Sequence, residues 1–447
     1  MSNAWIVVDL GFGDAGKGTI TDFLVREKNA GLVVRFNGGA QAGHNVVTAD
    51  GRHHTFAQFG AGTFVPGTRT HLAETVVVHP SALVVEARHL ERESLVRQPL
   101  DRLTVSADAL VITPFHQAAN CVRELARANA RHGTCGVGVG EAVRDALEHP
   151  EDAYRVGDLR RATGRWVKLE EARERLWKSL EHEVAVLGKT HPDLAIFFDR
   201  ERWTRWLEFV QPMMGCIVSS EYLGEWFRDK PGDVVFEGAQ GVLLDENFGF
   251  HPHTTWSDCT CRGADALLRK HEFSGQVERL GVLRSYLTRH GEGPFPTENE
   301  ALRGVLPEEH NASAGWQGVF RVGEMDLVLA RYALRVSGGV NALAFTHADR
   351  IEAVGRIATA YEVPENEAIF QRDQAGRVVD LREGDLARQE LLGQALRRVE
   401  LVWADVPAGL EARIEQLEGW LRVPVRLTSS GKTAEHKAWR LSSARSS

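Results

Sequence analysis

Gly11–Gly18 reads GFGDAGKG and follows the apolar stretch Ala4–Leu10. A glycine-rich turn between a strand and a helix presents backbone N–H groups at a helix N-terminus, which suits a phosphate. The stretch fits the phosphate-loop spacing G-x-x-x-x-G-K-[ST] at Gly11, Gly16 and Lys17. It ends on Gly18, so the hydroxyl that would hold Mg²⁺ is missing. An acidic side chain, Asp14, stands inside the loop instead. A carboxylate stands where negative phosphates should lie, and the N–H donors of such a loop keep it ionised. More glycine-rich stretches follow: FNGGAQAGHN at Phe36–Asn45, GTCGVGVG at Gly133–Gly140, FEGAQGVLLD at Phe236–Asp245 and RHGEGPFPTE at Arg289–Glu298. Together they suit a large ligand that carries phosphates.

Such loops must be held by regular elements. Ile6–Leu10 is a short apolar run bounded by glycine, the mark of a buried strand. Gly16–Glu27 reads as a helix with Ile20, Phe23 and Leu24 on one face. Further buried strands are predicted at Val76–Val78, Val234–Glu237, Ala342–Thr346 and Val423–Leu427. Helical periodicity runs through Leu169, Ala172, Leu176, Leu180 and Val184, and again through Leu410, Ile414, Leu417 and Leu421. Strands alternating with helices predict an α/β fold with a central, mainly parallel β-sheet flanked by helices. No repeat or linker interrupts the 447 residues, so a single domain over 1–447 is expected, with 441–447 a disordered tail.

The formal net charge of −8 gives no general attraction to nucleic acid or to anionic membranes. No apolar run is long enough to span a bilayer, and no secretory signal is visible. The five cysteines are few and odd in number, which fits a reduced, cytoplasmic setting. His251, His253, Cys259 and Cys261 are the right types for zinc, but their H-x-H and C-x-C spacings are unusual for a structural site.

Taken in order, these stretches resemble the motifs of the adenylosuccinate synthetase family. The family's W-G-D-E-G-K-G-K, N-A-G-H-T, T-T-G-R-G-I-G-P, F-E-G-A-Q-G-x-L-L-D, G-x-G-P-F-P-T-E, T-K-x-D and S-T-G-P correspond to Phe12–Thr19, Gln41–Asn45, Thr134–Glu141, Phe236–Asp245, Gly291–Glu298, Thr346–Asp349 and Ser429–Lys432. The resemblance implies a ligase that phosphorylates O6 of a 6-oxopurine nucleotide and then displaces the phosphate with an amine. It casts Asp14 as the base that takes the N1 proton, His44 as the general acid and Lys17 as the cation against the β/γ-phosphates. It places Gly13, Gly16, Lys17, Gly18, Asp349, Ser429 and Gly431 around GTP. Asp349 would accept from guanine N1 and N2, a pairing that adenine cannot offer. Gln41, Thr134, Cys135, Gln240 and Thr255 fall at positions around the purine nucleotide. Asp14 and the Gly43 carbonyl would ligate Mg²⁺, so that Asp14 replaces the missing hydroxyl. A homodimer is also implied.

The chain departs from the family where arginines are concerned. Cys135 and Val137 replace a threonine and an arginine, and Arg155 is kept while the arginine pair before it is lost. His347 replaces a lysine and His290 an apolar residue. The amine-donor loop, Ser313–Asp326, keeps Arg321 where the family has a run of four arginines. Ser313, Gln317 and Arg321 are the residues left there to bind L-aspartate. The leading expectation is a GTP-dependent ligation of L-aspartate to C6 of IMP. A variant acting on GMP or dGMP toward 2-aminoadenine, a ligase using another amine, and a catalytically lapsed nucleotide-binding regulator are the alternatives.

Overall fold

The computed structural model describes residues 2–128, 134–230, 232–306, 308, 318–363 and 368–440. Its centre is built on the first strand, β1 (Asn3–Asp9). Side chains alternate along a strand. Ala4, Ile6 and Val8 pack with Leu32, Val34 and Leu267 on one face. Val7 packs on the other with Ile20 and Leu24 of helix α1 (Lys17–Lys28). Burial on both faces explains why this run reads as continuously apolar.

The other strands of the sheet are β2 (Leu32–Arg35), β3 (Arg69–Leu72), β4 (Leu103–Ser106), β5 (Ile217–Val218), β6 (Val234–Glu237), β7 (Gln276–Arg284), β8 (Ala342–Thr346), β9 (Val425–Ser429) and β10 (Lys437–Trp439). Their order is β10-β9-β8-β7-β1-β6-β2-β3-β4-β5. Every pairing is parallel except that of β9 with β10, which is antiparallel. β1 therefore lies between β6 and β7, with Ile6 opposite Phe236 on one side and Arg279 on the other. Ligands of open α/β sheets bind beyond the carboxyl ends of the strands where the connections diverge. The glycine-rich stretches that follow β1, β2 and β6 emerge at that edge. Two larger apolar clusters buttress the sheet, one around Phe115, Phe197 and Trp203 and one around Leu327, Tyr332 and Ile414.

The expected elements are present, with three differences. The helix read through Leu169–Val184 is two helices, Gly164–Ser179 and Glu181–Leu187, which meet at the buried Leu180. Its periodicity survives the break because both pieces bury the same stripe. Val77–Val78 pairs with Leu110–Val111 outside the central sheet. The last parallel strand begins at Val425 rather than Val423, because Pro424 has no N–H for a ladder. The tail 441–447 lies outside the described residues.

One glycine fixes how the loop after β1 meets the loop after β6. A Cβ on Gly241 would sit 2.2 Å from the Gly11 carbonyl oxygen and 2.4 Å from the Gly13 nitrogen. Both neighbours are backbone and cannot swing away. Gly241→Ala should lower stability by about 1–3 kcal/mol or more, the scale of overpacking. Gly304→Ala, where a Cβ would meet nothing within 4 Å, should stay within roughly 0.5 kcal/mol. Urea unfolding midpoints of the two variants check this.

Candidate active site

The loop after β1 is shaped by a carboxylate. Asp9, the last residue of the strand, is 1% exposed. Its Oδ1 accepts the Gly11 N–H at 2.8 Å, and its Oδ2 accepts the Ala15 N–H and the Lys17 ammonium, both at 2.9 Å. Gly13 and Gly16 take φ values of 95° and 98°, and Asp14 itself has φ 58°. Aspartate is one of the few residues that tolerate the left-handed region. Thr346, at the end of β8, donates its hydroxyl to the Ala15 carbonyl at 2.6 Å and so ties the loop to a second strand.

The loop opens on a cavity of about 670 Å³. Asp14 lines it, with its Oδ2 3.1 Å from His290 Nε2. Burial alone would raise the Asp14 pKa. The hydrogen bond and charge of His290, with Lys17 and Arg284, outweigh burial and hold it below the usual carboxylate range. His44 lines the same cavity. A carboxylate can only accept, so His44 donates Nδ1–H to Glu237 Oε1, at 2.5 Å. The other Glu237 oxygen accepts the Ala61 N–H at 2.9 Å. Burial opposes the charge on Glu237, but His44 and Arg35 hold its pKa down. With Nδ1 committed, Nε2 is the nitrogen left to act in the cavity. Burial pushes the His44 pKa below the usual imidazole value, against the attraction of Glu237.

Gly13, Gly16, Lys17, Gly18, Gln41, Gly43, Cys135, Gln240, Asp349, Ser429 and Gly431 all line this cavity. The carbonyl oxygens of the Gln41 and Gln240 side chains are buried there without a hydrogen-bond partner. Buried acceptors of this kind are costly unless something donates to them. At the far end Asp349 pairs with Arg350 at 3.1 Å. Lys437 donates to the carbonyls of Gly431 and Thr433 at 2.9 and 2.8 Å, which pins the loop after β9.

Other residues fall differently from the sequence expectation. Lys17 stays on the wall but is 4% exposed and also pairs with Asp9, because a buried ammonium needs an anion within reach. Thr134 is off the cavity wall, where it accepts from Asn120 at 2.9 Å. Thr255 is also off the wall, its N–H bonded to the Leu244 carbonyl at 2.8 Å. Arg321 is absent from the wall as well. Its guanidinium donates to Glu298 and to the carbonyls of Gly291 and Gly293, the carbonyls each 3.0 Å away. It braces the Gly291–Glu298 stretch. Ser313 and Gln317 lie outside the described residues. His251, His253, Cys259 and Cys261 do not assemble a metal site, since no group of three or more His, Cys, Asp or Glu able to hold an ion occurs among the described residues.

Three side chains on or behind the wall, Asp9, Arg284 and Tyr286, lie outside the motifs. Asp9 is an acidic residue ending an apolar strand, and that misfit was its only signal; Glu237 ends its strand in the same way but is also the second residue of the FEGAQGVLLD stretch. Arg284 is a charged residue ending β7, Tyr286 lies two residues beyond it, and both line the cavity with His290 and Glu308.

Gly18 also has a reason. A Cβ there would lie 2.7 Å from His44 Cβ and 3.1 Å from its backbone. A hydroxyl-bearing residue at this position is incompatible with His44 against the loop.

The adenylosuccinate synthetase family model matches residues 6–438. The adenylosuccinate synthetase of Marinomonas sp. (strain MWYL1) is 31% identical over 437 residues, covering 95% of each chain. That of Clostridium botulinum (strain 657 / Type Ba4) is 31% identical over 366 residues, covering 81% of this chain and 82% of its own. Among solved structures, the fully ligated adenylosuccinate synthetase of Plasmodium falciparum has a TM-score of 0.76 at 21% identity, covering 98% of this chain and 99% of its own. The cyanophage S-2L succinoaminodeoxyadenylate synthetase, bound to dGMP and to dATP as an energy donor, has a TM-score of 0.60 at 16% identity, covering 98% of this chain and 95% of its own. These two likenesses show the fold.

Two outcomes follow from the geometry. Gly18→Ser should restore the phosphate-loop pattern yet lower turnover, because it displaces His44. The His44 ring resonances in an NMR spectrum should move with it. Asp14→Asn should expose the charge linkage. A carboxyl whose folded pKa is depressed adds stability above its unfolded value of about 4 and loses it as pH falls through the folded value. Asparagine accepts the same backbone conformation, so wild type should be the more stable at pH 7. The gap should close as the medium is acidified below about pH 4, followed by thermal melting.

Proposed function

The chain belongs to the adenylosuccinate synthetase family, whose members are C–N-forming ligases driven by GTP, and from that premise we propose that it joins L-aspartate to C6 of IMP through a 6-phosphoryl intermediate. The observation that carries this reading is the Asp14 carboxylate, kept ionised on a cavity wall shared with His44, Gln41 and Gln240. A 6-oxopurine oxygen is a poor leaving group until it is phosphorylated. Asp14 takes the N1 proton, and the electron pair moves to O6. O6 then bonds to the γ-phosphorus as the bond to the β-phosphate oxygen breaks, releasing GDP. The amine next attacks C6, the C6–O6 bond breaks, phosphate leaves and the nitrogen gives up a proton.

His44 acts at O6 through Nε2. Glu237 fixes its tautomer, and the negative charge of bound nucleotides favours the imidazolium that burial alone disfavours. Lys17 has an anion at Asp9 and stands on the cavity wall, so it adds a cation beside the phosphates without leaving its partner. Asp349, Ser429 and Gly431 hold the guanine end of GTP, and Gln41, Cys135 and Gln240 the purine nucleotide.

The donor set suits Mg²⁺. The Asp14 carboxylate and the Gly43 carbonyl are hard oxygens on one wall, and Mg²⁺ needs only one or two protein carboxylates beside phosphates. When bound, the ion supplies charge neutralisation on the phosphates. We further infer a cytoplasmic homodimer. The five cysteines are free, and among the described residues no helix is long and apolar enough to cross a membrane.

The test is an absorbance assay with IMP, GTP, Mg²⁺ and L-aspartate, run beside dGMP with dATP, the pair bound by the cyanophage enzyme. Turnover is expected with IMP and GTP. Activity with dGMP and none with IMP would move the substrate to a guanine nucleotide. Asp14→Asn should lose on the order of 10²–10⁴ in rate, the scale of a general base. Near-normal turnover by the folded variant would remove Asp14 from that role. Asp349→Asn should weaken GTP by roughly 1.5–3 kcal/mol, the scale of hydrogen bonds to a charged group, and ITP by less.

A further inference from the structure

An α-amino dicarboxylate cannot be held in a water-poor cavity without cations or several N–H donors. Arg321 is spent on Glu298 and two carbonyls, away from the cavity. On the wall itself, Lys17 is paired with Asp9, Arg350 with Asp349 at the triphosphate end, and Lys432 follows Gly431 in the loop assigned to that same end. Arg284 stands at the Asp14 end. It is 4% exposed. One terminal nitrogen donates to the Asp14 carbonyl at 2.9 Å, and Nε is buried with no partner. The other terminal nitrogen meets the Tyr286 hydroxyl and the Glu308 carboxylate. Tyr286, 2% exposed, also bonds the same Glu308 oxygen at 3.1 Å, and its ring lies 4.0 Å under the guanidinium. A buried guanidinium, a phenol and a carboxylate thus meet on the wall next to Asp14.

We propose that Arg284 and the Tyr286 hydroxyl form the subsite for a carboxylate of the amine donor, and that Glu308 occupies it as an internal stand-in. The inference rests on the ligase reading above and names the residues that select its second substrate. Arginine presents a planar fork that suits a carboxylate, and the aromatic face beneath it fixes the plane of that fork. The bond from Arg284 to the Asp14 carbonyl places the subsite beside the loop where the proton is removed. An incoming dicarboxylate exchanges one carboxylate for another, so no charge is left unpaired in the wall.

Steady-state kinetics on the full chain separate the three substrates. Arg284→Lys keeps the charge and can still reach the Asp14 carbonyl, but loses the fork. It should raise the KM for aspartate by at least about tenfold, while the KM values for IMP and GTP change by less than roughly twofold. Tyr286→Phe should raise the aspartate KM in the same direction, by about three- to tenfold for one lost hydrogen bond. Glu308→Gln should lower it, because the competing carboxylate is gone. Thermal melting establishes that each variant is folded. If Arg284→Lys does not fold, the opposite signs of the other two decide. An unchanged aspartate KM in folded Arg284→Lys, or an equal rise in all three KM values, overturns the subsite. A raised aspartate KM in Glu308→Gln overturns the stand-in. A wild type that forms no C–N bond with any dicarboxylate amine overturns the ligase reading and the subsite with it. Turnover of aspartate by wild type with an indifferent Arg284→Lys overturns the subsite alone.

Discussion

The site depends first on the buried carboxylate of Asp9. It gathers two backbone N–H groups and one ammonium from the loop that follows it, and so decides where that loop turns. A buried charge is tolerated only when it is paired and hydrogen-bonded. Here the pairing is used to set geometry. Gly11 and Ala15 are drawn to the end of β1, and the intervening Asp14 is pushed out into the cavity. Lys17 is held at the first turn of α1, where it steadies the carboxylate behind it and lends positive potential to the space in front.

Glu237 repeats the device one strand away. It ends β6 as Asp9 ends β1, and these strands are neighbours in the sheet. Its two oxygens take His44 and the Ala61 N–H. An acid on one strand places Asp14, and an acid on the next orients His44, the two side chains to which the proposed reaction gives the proton transfers. The loops can approach this closely because glycines stand where they touch. Gly241 lets the loop after β6 lie on the loop after β1, and Gly18 lets His44 lie on the start of α1.

Much of this was legible in the sequence, because buried parallel strands read as apolar runs and the glycine-rich stretches follow them directly. The sheet and the cavity-lining positions Gln41, Gly43, Gln240, Asp349, Ser429 and Gly431 belong to that class. Partners far apart in sequence were not legible. Nothing local to Lys17 says that its anion is Asp9 rather than a ligand. Nothing near Arg321 says that Glu298 and two carbonyls consume it, and the same holds for Thr134 and Asn120. The break at Leu180 was hidden because hydrophobic spacing records which side is buried, not whether the backbone continues. Arg284 escaped because a charged residue ending a strand looks like ordinary strand termination until the cavity beyond it is seen.

The contact between Gly18 and His44 bears on how such a loop can change over evolutionary time. The usual phosphate loop and this one differ at a single letter, serine or threonine against glycine. That letter cannot be exchanged on its own, because the added carbon overlaps a histidine that ends the next loop but one. The two positions are locked together. A lineage leaving this arrangement must first give up the histidine, and with it the Glu237 contact, before a hydroxyl fits. Such an ordered path makes the glycine self-preserving, held in place by the chemistry of a neighbour rather than by its own.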